Sequence, residues 1–499
     1  MTRLSILIAA ASIVVLSTQQ VVAQSGTFRQ SHDVGFGAEA INVDPASQGR
    51  FWQVTEKTMS RLVRPALNGE PEPNLATEWS VNDSATEWIF KLREGVKFHD
   101  GSDFDAADVV YTLEHVRDPE LDSPAAAVIS MVDTIEAIDP LTVKMTLSAP
   151  YADLALQLMD YRIRMIPEGS ADTIGTTGIG TGPFILETLD PEGTTIVKAN
   201  PDYWEGPPGV ATIEIIGISD TQARVQALLS GQIDMLGYGD LSGQQLALFE
   251  NNPKFKVLSV PTGDWLGIVF RTDIEPFTDA RVRKAVRIAT DRQAIIDLVL
   301  GPGGGVVTCD HPVWTGDQYR APFNCPQQVD EAKRLLAEAG YPDGIEFDVT
   351  TSDLRAIWID MVQVYQQQVA QAGITVNLVK APADGYWSEV WMKKTVVTTS
   401  WGQRPADQIL NEDYRGGAPW NETYWNRADF DKLLDQARQE LDFEKRKALY
   451  HRLQTILYEE GGSFIPFHIN QAVATTARVS GLQPVFTDAV QYHLIHVSD

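Results

Sequence analysis

The stretch 358–379 most narrows what this chain can fold into. Trp358, Met361, Val362, Tyr365, Val369 and Ala372 recur at helical spacing, Gly373 stops the helix, and 374–379 follows at once as a strand. A helix that runs straight back into a strand is the rhythm of an α/β layer. Segments 28–32, 88–92, 143–147, 195–199, 213–218 and 256–260 alternate or are rich in β-branched residues, and each predicts a strand. Asp279 is placed to cap a helix carrying Val282, Ala285, Val286 and Ala289 on one face. Thr290 and Gln293 are spaced as a capping box for the next helix, which ends at Gly301. Asp330 starts another, with Ala332, Leu335, Leu336 and Ala339 inward and Gly340 and Pro342 as stops. Two further amphipathic helices are expected over 430–441 and 445–457.

The 499 residues exceed what a single core serves, so about three packed units are expected. No repeat, low-complexity tract or Ser/Gly linker separates them. Arg3 precedes an apolar run over 4–16, and Val21, Val22 and Ala23 set modest side chains before Gln24. That is the pattern of a secretory signal peptide over 1–23, too short for a membrane span. No cysteine stands at the junction to carry a lipid anchor, so the mature chain is expected to be exported and soluble. In a bacterium with two membranes the compartment is the periplasm.

With 40 basic and 67 acidic residues the formal charge is −27, which makes nucleic acid and anionic membrane poor partners. Cys309 and Cys325 are the two cysteines, and in an oxidising compartment they are expected to form a disulfide. Closing that loop contributes about 3 kcal/mol in the chain-entropy account. The phosphate-binding, zinc-protease, nucleophile-elbow and CxxC motifs do not occur, and the 8 histidines are scattered. No catalytic residue, metal site or cofactor is therefore expected.

Several stretches stand in order along the chain: Glu78-Trp79-Ser80-Val81; 88–101, ending Phe98-His99-Asp100-Gly101; and Asp105-Ala106-Ala107-Asp108 with Val109, Val110 and Tyr111. After them come Gly180-Thr181-Gly182-Pro183-Phe184, Asn200-Pro201-Asp202-Tyr203-Trp204, Ser230-Gly231-Gln232-Ile233-Asp234, 277–285 and 331–341. In this order the sequence resembles the extracytoplasmic solute-binding proteins of peptide, nickel and related ABC importers, family 5. Taken residue by residue, most of these matches are structural: His99, Asp100 and Gly101 form a hairpin turn, and Gly180, Gly182 and Pro183 suit a tight approach to a strand.

The resemblance implies an α/β, periplasmic binding protein-like fold of two lobes (class II, cluster C type) with an extra domain and a ligand cleft between the lobes. Lobe 1 would combine 24–57, 178–260 and 481–499; the extra domain would be 58–177 and lobe 2 would be 261–480. It implies no enzyme but the substrate-binding component of an ABC importer, a monomer that captures a small polar solute, a peptide or a peptide-like, carboxylate-bearing ligand, and docks on permease subunits at the cytoplasmic membrane. An opine-like conjugate, an oligosaccharide or a metal complex are alternative ligands. An exported hydrolase or a periplasmic chaperone or sensor partner are competing functions.

In peptide-binding members of that family a tryptophan at a strand end is followed three residues later by an aspartate that pairs with the ligand ammonium. Here Trp401, Gly402 and Gln403 are followed by Arg404, a fixed cation that repels an ammonium and prefers carboxylate or phosphate. Asp407 is the displaced acid; alternatively Arg404 pairs with Asp407 or another neighbouring acid and only shapes the wall. The resemblance further places Trp387, Tyr386 and Trp420 at an aromatic wall, Arg355 near a carboxylate-pairing position, Asn421 as an amide donor and Glu39 facing the cleft.

Overall fold

The computed structural model describes residues 25–32, 42–47, 51–66, 69–218, 220–236, 243–250, 252–352, 354–382, 386–483 and 490–498. The expected signal peptide over 1–23, its cleavage point and Glu39 lie outside the described residues.

Strands and helices gather around three larger sheets. The first has the order Thr27–His32, Thr212–Gly217, Thr194–Ala199, Phe184–Thr188, with the first pair parallel and the others antiparallel. The second is an antiparallel sheet of Ala76–Val81, Glu87–Leu92, Thr142–Leu147 and Val132–Asp139. Each carries its own buried cluster, one around Phe28, Val197 and Ile213 and the other around Phe90, Leu113 and Met145. The third sheet has six strands in the order Gly305–Val307, Ser463–Thr476, Phe255–Phe270, Val396–Trp401, Ile345–Ser352, Ile374–Ala381. Strand Ile345–Ser352 pairs parallel with both of its neighbours, and the remaining pairs are antiparallel. Helix Ala356–Val369 covers this sheet with Trp358, Met361, Val362 and Tyr365, all fully buried. The stripe read from sequence is thus the core of that α/β layer, and Gly373 ends it at φ +81°, where a β-carbon is strained.

Strands Phe255–Phe270 and Ser463–Thr476 outrun the short strand expected at 256–260 because they pair along nearly their whole length. One end touches the first sheet, where Met235 bridges both Gln30 and Thr475. The other end buries Leu266, Ile268, Phe464 and Phe467 in the six-stranded core. Their register shifts between Pro261 and Trp265, a local irregularity that re-aims the side chains there.

The helix signals hold with small shifts. Asp279 accepts from the Arg281 amide, as expected. The cap of the next helix, Arg292–Val299, is Asp291, which accepts from the Ala294 amide at 3.0 Å; Thr290 instead donates back to the Arg287 carbonyl. A carboxylate one position later reaches the open amide better than the threonine hydroxyl, so the expected box does not form. The helix expected from Asp330 spans Val329–Glu338 with no side-chain cap, and the last two are Ala428–Gln439 and Phe443–Glu460, the latter capped by Asp442. Cys309 and Cys325 are disulfide-bonded with Cα atoms 5.8 Å apart.

Two of the stretches that carry the resemblance form one joint. The Gly180 amide donates to His99 Nδ1 at 3.2 Å, and His99 Nε2 donates to the Gly182 carbonyl at 3.0 Å. Burial lowers the His99 pKa, in keeping with a neutral ring that accepts on one nitrogen and donates on the other. Gly180 and Gly182 have no room for a side chain: a β-carbon would stand 2.2 Å from the Thr58 carbonyl oxygen and 2.7 Å from that of Lys57, respectively.

Candidate functional site

The carboxyl ends of the parallel strands Ile345–Ser352 and Val396–Trp401 open on one edge of the six-stranded sheet, the place where α/β sheets bind ligands. Strand alternation puts Thr399 and Trp401 on one face and Thr398 and Ser400 on the other. Trp401 stands opposite Trp265 in the ladder, with rings stacked at 6.3 Å, and meets Trp420 edge-on at 5.7 Å. Trp420 is 41% exposed, a large apolar surface presented to whatever lies over the edge.

Past Trp401 the chain is fastened from below. The Gln403 amide donates to Asp264 Oδ1 at 2.8 Å, and Gln403 Oε1 accepts from the Gly263 amide at 2.8 Å. Asp264 Oδ2 accepts from Gln471 Nε2 at 2.6 Å. The strand irregularity at 261–265 thus supplies the anchor for the loop that carries Gly402 and Arg404. Exposed Arg355, at the start of helix Ala356–Val369, has Asp264 as its opposing charge. Arg404 lies 3.4 Å from Glu412 through Nε and donates from Nη1 to the Gln403 carbonyl at 3.1 Å. Its ion-pair partner is Glu412, on the same helix as Asp407.

A cleft of roughly 790 Å³, counting its open mouth, runs past Arg404. One wall includes Asp160 and Tyr161, the other Trp314, Asp317, Gln403 and Arg404. Burial alone would raise the pKa of Asp160, but Arg162 outweighs it, with Arg404 adding to the same effect, so it is held as the anion. Asp317 accepts from the Ala406 amide at 2.9 Å, a carboxylate at a helix start. Burial still pushes its pKa up to about 6.

The structure thus gathers Trp401, Gly402, Arg404, Trp420 and Arg355 at one edge. Trp387 is 44% exposed and packs edge-on against Trp358 and Trp391. Tyr386 is core, its hydroxyl donating to the Thr398 carbonyl at 2.8 Å. Asn421 is spent on its own loop, bonding the Arg415 and Trp425 carbonyls and the Trp425 amide. Buried Asp407 accepts from the Tyr151 hydroxyl at 2.8 Å, the Tyr450 hydroxyl at 3.0 Å, Arg438 at 2.9 Å and Asn411 at 3.0 Å. Every lone-pair direction of that carboxylate is occupied, so a ligand ammonium would have to displace a protein donor.

Sequence reasoning passed over Asp264, Gln403 and Glu422. Glu422 follows the flagged pair Trp420 and Asn421, and a carboxylate set among tryptophans was the available signal. Asp264 gave none, because its role depends on a register shift. Among the described residues no group of three His, Cys, Asp or Glu side chains is arranged for a metal ion, and no helix is long and apolar enough to cross a membrane.

The family described as bacterial extracellular solute-binding proteins, family 5 Middle, matches residues 70–442. The glutathione-binding protein GsiB of Shigella boydii serotype 4 is 29% identical over 426 residues, 81% of each chain. The PBP AgaA of A. tumefaciens R10, solved in complex with agropinic acid, is 25% identical with a TM-score of 0.78, covering 95% of this chain and 99% of its own. The ABC transporter substrate-binding protein CtaP of Listeria monocytogenes is 19% identical with a TM-score of 0.84, covering 95% and 100%.

Proposed function

Because this chain belongs to the bacterial extracellular solute-binding proteins of family 5 and serves an ABC importer as its substrate-binding component, not as an enzyme, we propose that its ligand is a small polar solute bearing a carboxylate. What supports this reading is that Arg404 lines the cleft and Arg355 stands within reach of Asp264 at the same sheet edge as Trp401, where a peptide ammonium would otherwise need an acid. A ligand carboxylate would replace or share the Glu412 contact of Arg404. A guanidinium gives a carboxylate two parallel donors, and the tryptophan faces cover the apolar part of the same solute. Asp407, the displaced acid of the sequence reading, is satisfied internally and is not part of this proposal.

In this reading the chain divides into lobe 1 (24–57, 178–260, 481–499), an extra domain (58–177) and lobe 2 (261–480), and acts as a monomer in the periplasm after losing 1–23. Ligand favours the closed form because it touches both lobes only there. The closed form then docks on the permease subunits.

The similarity to a glutathione-binding protein and to a protein solved with agropinic acid supplies two carboxylate probes. Calorimetric titration with both should give binding by at least one. Arg404→Ala should weaken that binding at least tenfold, about 1.4 kcal/mol. Unchanged affinity in Arg404→Ala would remove the arginine from the site.

A further inference from the structure

Behind the aromatic wall lies a carboxyl pair that none of the ligand contacts require. Glu422 is buried in the turn after Trp420, and three donors converge on it. Trp401 Nε1 donates to Oε1 at 3.0 Å, Thr399 Oγ1 donates to Oε2 at 2.7 Å, and Trp391 Nε1 donates to Oε2 as well. Asp413, also fully buried at the end of helix Ala406–Asp413, is the carboxyl on which the Glu422 charge acts. Neither forms an ion pair among the described residues.

We propose that Glu422 is the positioning residue of this wall: as the anion it holds the Trp391 and Trp401 indoles, while Asp413 keeps its proton. The inference rests on the reading of this face as the ligand wall. Donor geometry decides where the single proton sits. An ionised carboxylate is acceptor-only, so it satisfies all three donors at Glu422. A protonated Glu422 would set an O–H against an indole N–H or the Thr399 hydroxyl, and a second charge at Asp413 would face Glu422 in a dry site without a cation. The groups facing the pair are Glu412, on the same helix as Asp413, the Tyr414 hydroxyl, and the Tyr386 hydroxyl from the turn Tyr386–Val390. Strand Val396–Trp401 contributes only the uncharged Thr399 and Trp401 to Glu422. Burial first, and then the Glu422 charge, raises the Asp413 pKa well above its ordinary value; burial, opposed by the three donors, raises that of Glu422 to about 7. Acidification through neutrality therefore protonates Glu422 and loosens Trp401, and ligand is held less tightly on the acid side.

The test begins without ligand. Tryptophan emission of the native protein should show a one-proton transition near neutral pH. Glu422→Gln should abolish it, and Thr399→Val, which removes one donor from the anion, should move it to higher pH. Glu422→Gln should also lower the melting temperature less in a Trp401→Phe background, where one of the two indole N–H donors no longer needs an acceptor. For whichever of glutathione or agropinic acid the native protein binds, Glu422→Gln should weaken affinity about tenfold and flatten its dependence on pH. Identical emission profiles in native protein and Glu422→Gln, or additive melting shifts in the double variant, would overturn the proposal. Failure of both probes to bind would count against the carboxylate reading alone, since the emission and melting measurements use no ligand.

Discussion

Helix Ala406–Asp413 carries two buried aspartates with opposite fates. Asp407 meets Arg438 and two tyrosine hydroxyls, and one of them, Tyr151, comes from the segment that packs with the second sheet. Although burial opposes it, Arg438 holds the Asp407 pKa below its ordinary value. Asp413, at the other end of the helix, pairs with no cation among the described residues and feels the Glu422 charge, and its pKa rises. The same helix thus fixes one part of the molecule to another at its start and stores an uncompensated charge site behind the aromatic wall at its end. A buried carboxylate is neither stabilising nor costly by itself; its partners decide.

The largest effect should come from breaking the satisfied end. Asp407→Ala leaves Arg438 and two tyrosine hydroxyls without their acceptor and should cost about 3–5 kcal/mol in denaturant unfolding. Loss below 1 kcal/mol would erase the contrast.

The two ends should also differ in sign against pH. A lowered carboxyl pKa stabilises the fold above the ordinary value of 3.8, and that stability is lost as pH falls through the folded value. A raised pKa works the other way: between the ordinary value near 4.5 and about 7 the folded chain retains a proton at Glu422 that the unfolded chain releases, so stability falls as pH rises. Asp413→Asn, which keeps the shape and stays neutral without binding a proton, should therefore gain stability, and more at pH 8 than at pH 5 by about 1 kcal/mol or more. A loss at both pH values would contradict the assignment.

The smallest effect sharpens the first. Tyr151→Phe removes one hydroxyl donor from Asp407 while Arg438 remains, and should cost about 1 kcal/mol by thermal unfolding.

Much of the α/β layer was legible because its signals are local. The Trp358 stripe, the Gly373 stop and the strand after it depend only on spacing, and they fold as read. The capping box at Thr290 was misread because an adjacent Asp291 competes for the same amide, a contest that spacing cannot rank. At the proposed site, Trp401, Arg404 and Trp420, to which the resemblance pointed, lie near one strand end. Tyr386, Asn421 and Asp407 were drawn to the same region, but their polar atoms bond partners from 2 to 256 residues away, which no local pattern reveals. Asp264 joins the site through a register shift between two long strands, and that too is a tertiary event.

Native mass spectrometry tests the account most directly. The protein would be incubated with glutathione, agropinic acid, their amidated forms and a neutral oligosaccharide. The account predicts a one-to-one complex with at least one carboxylate-bearing solute, none with its amidated form, and release of that solute at unchanged mass. A complex formed only by uncharged members of the mixture, or a released solute of altered mass, would contradict it.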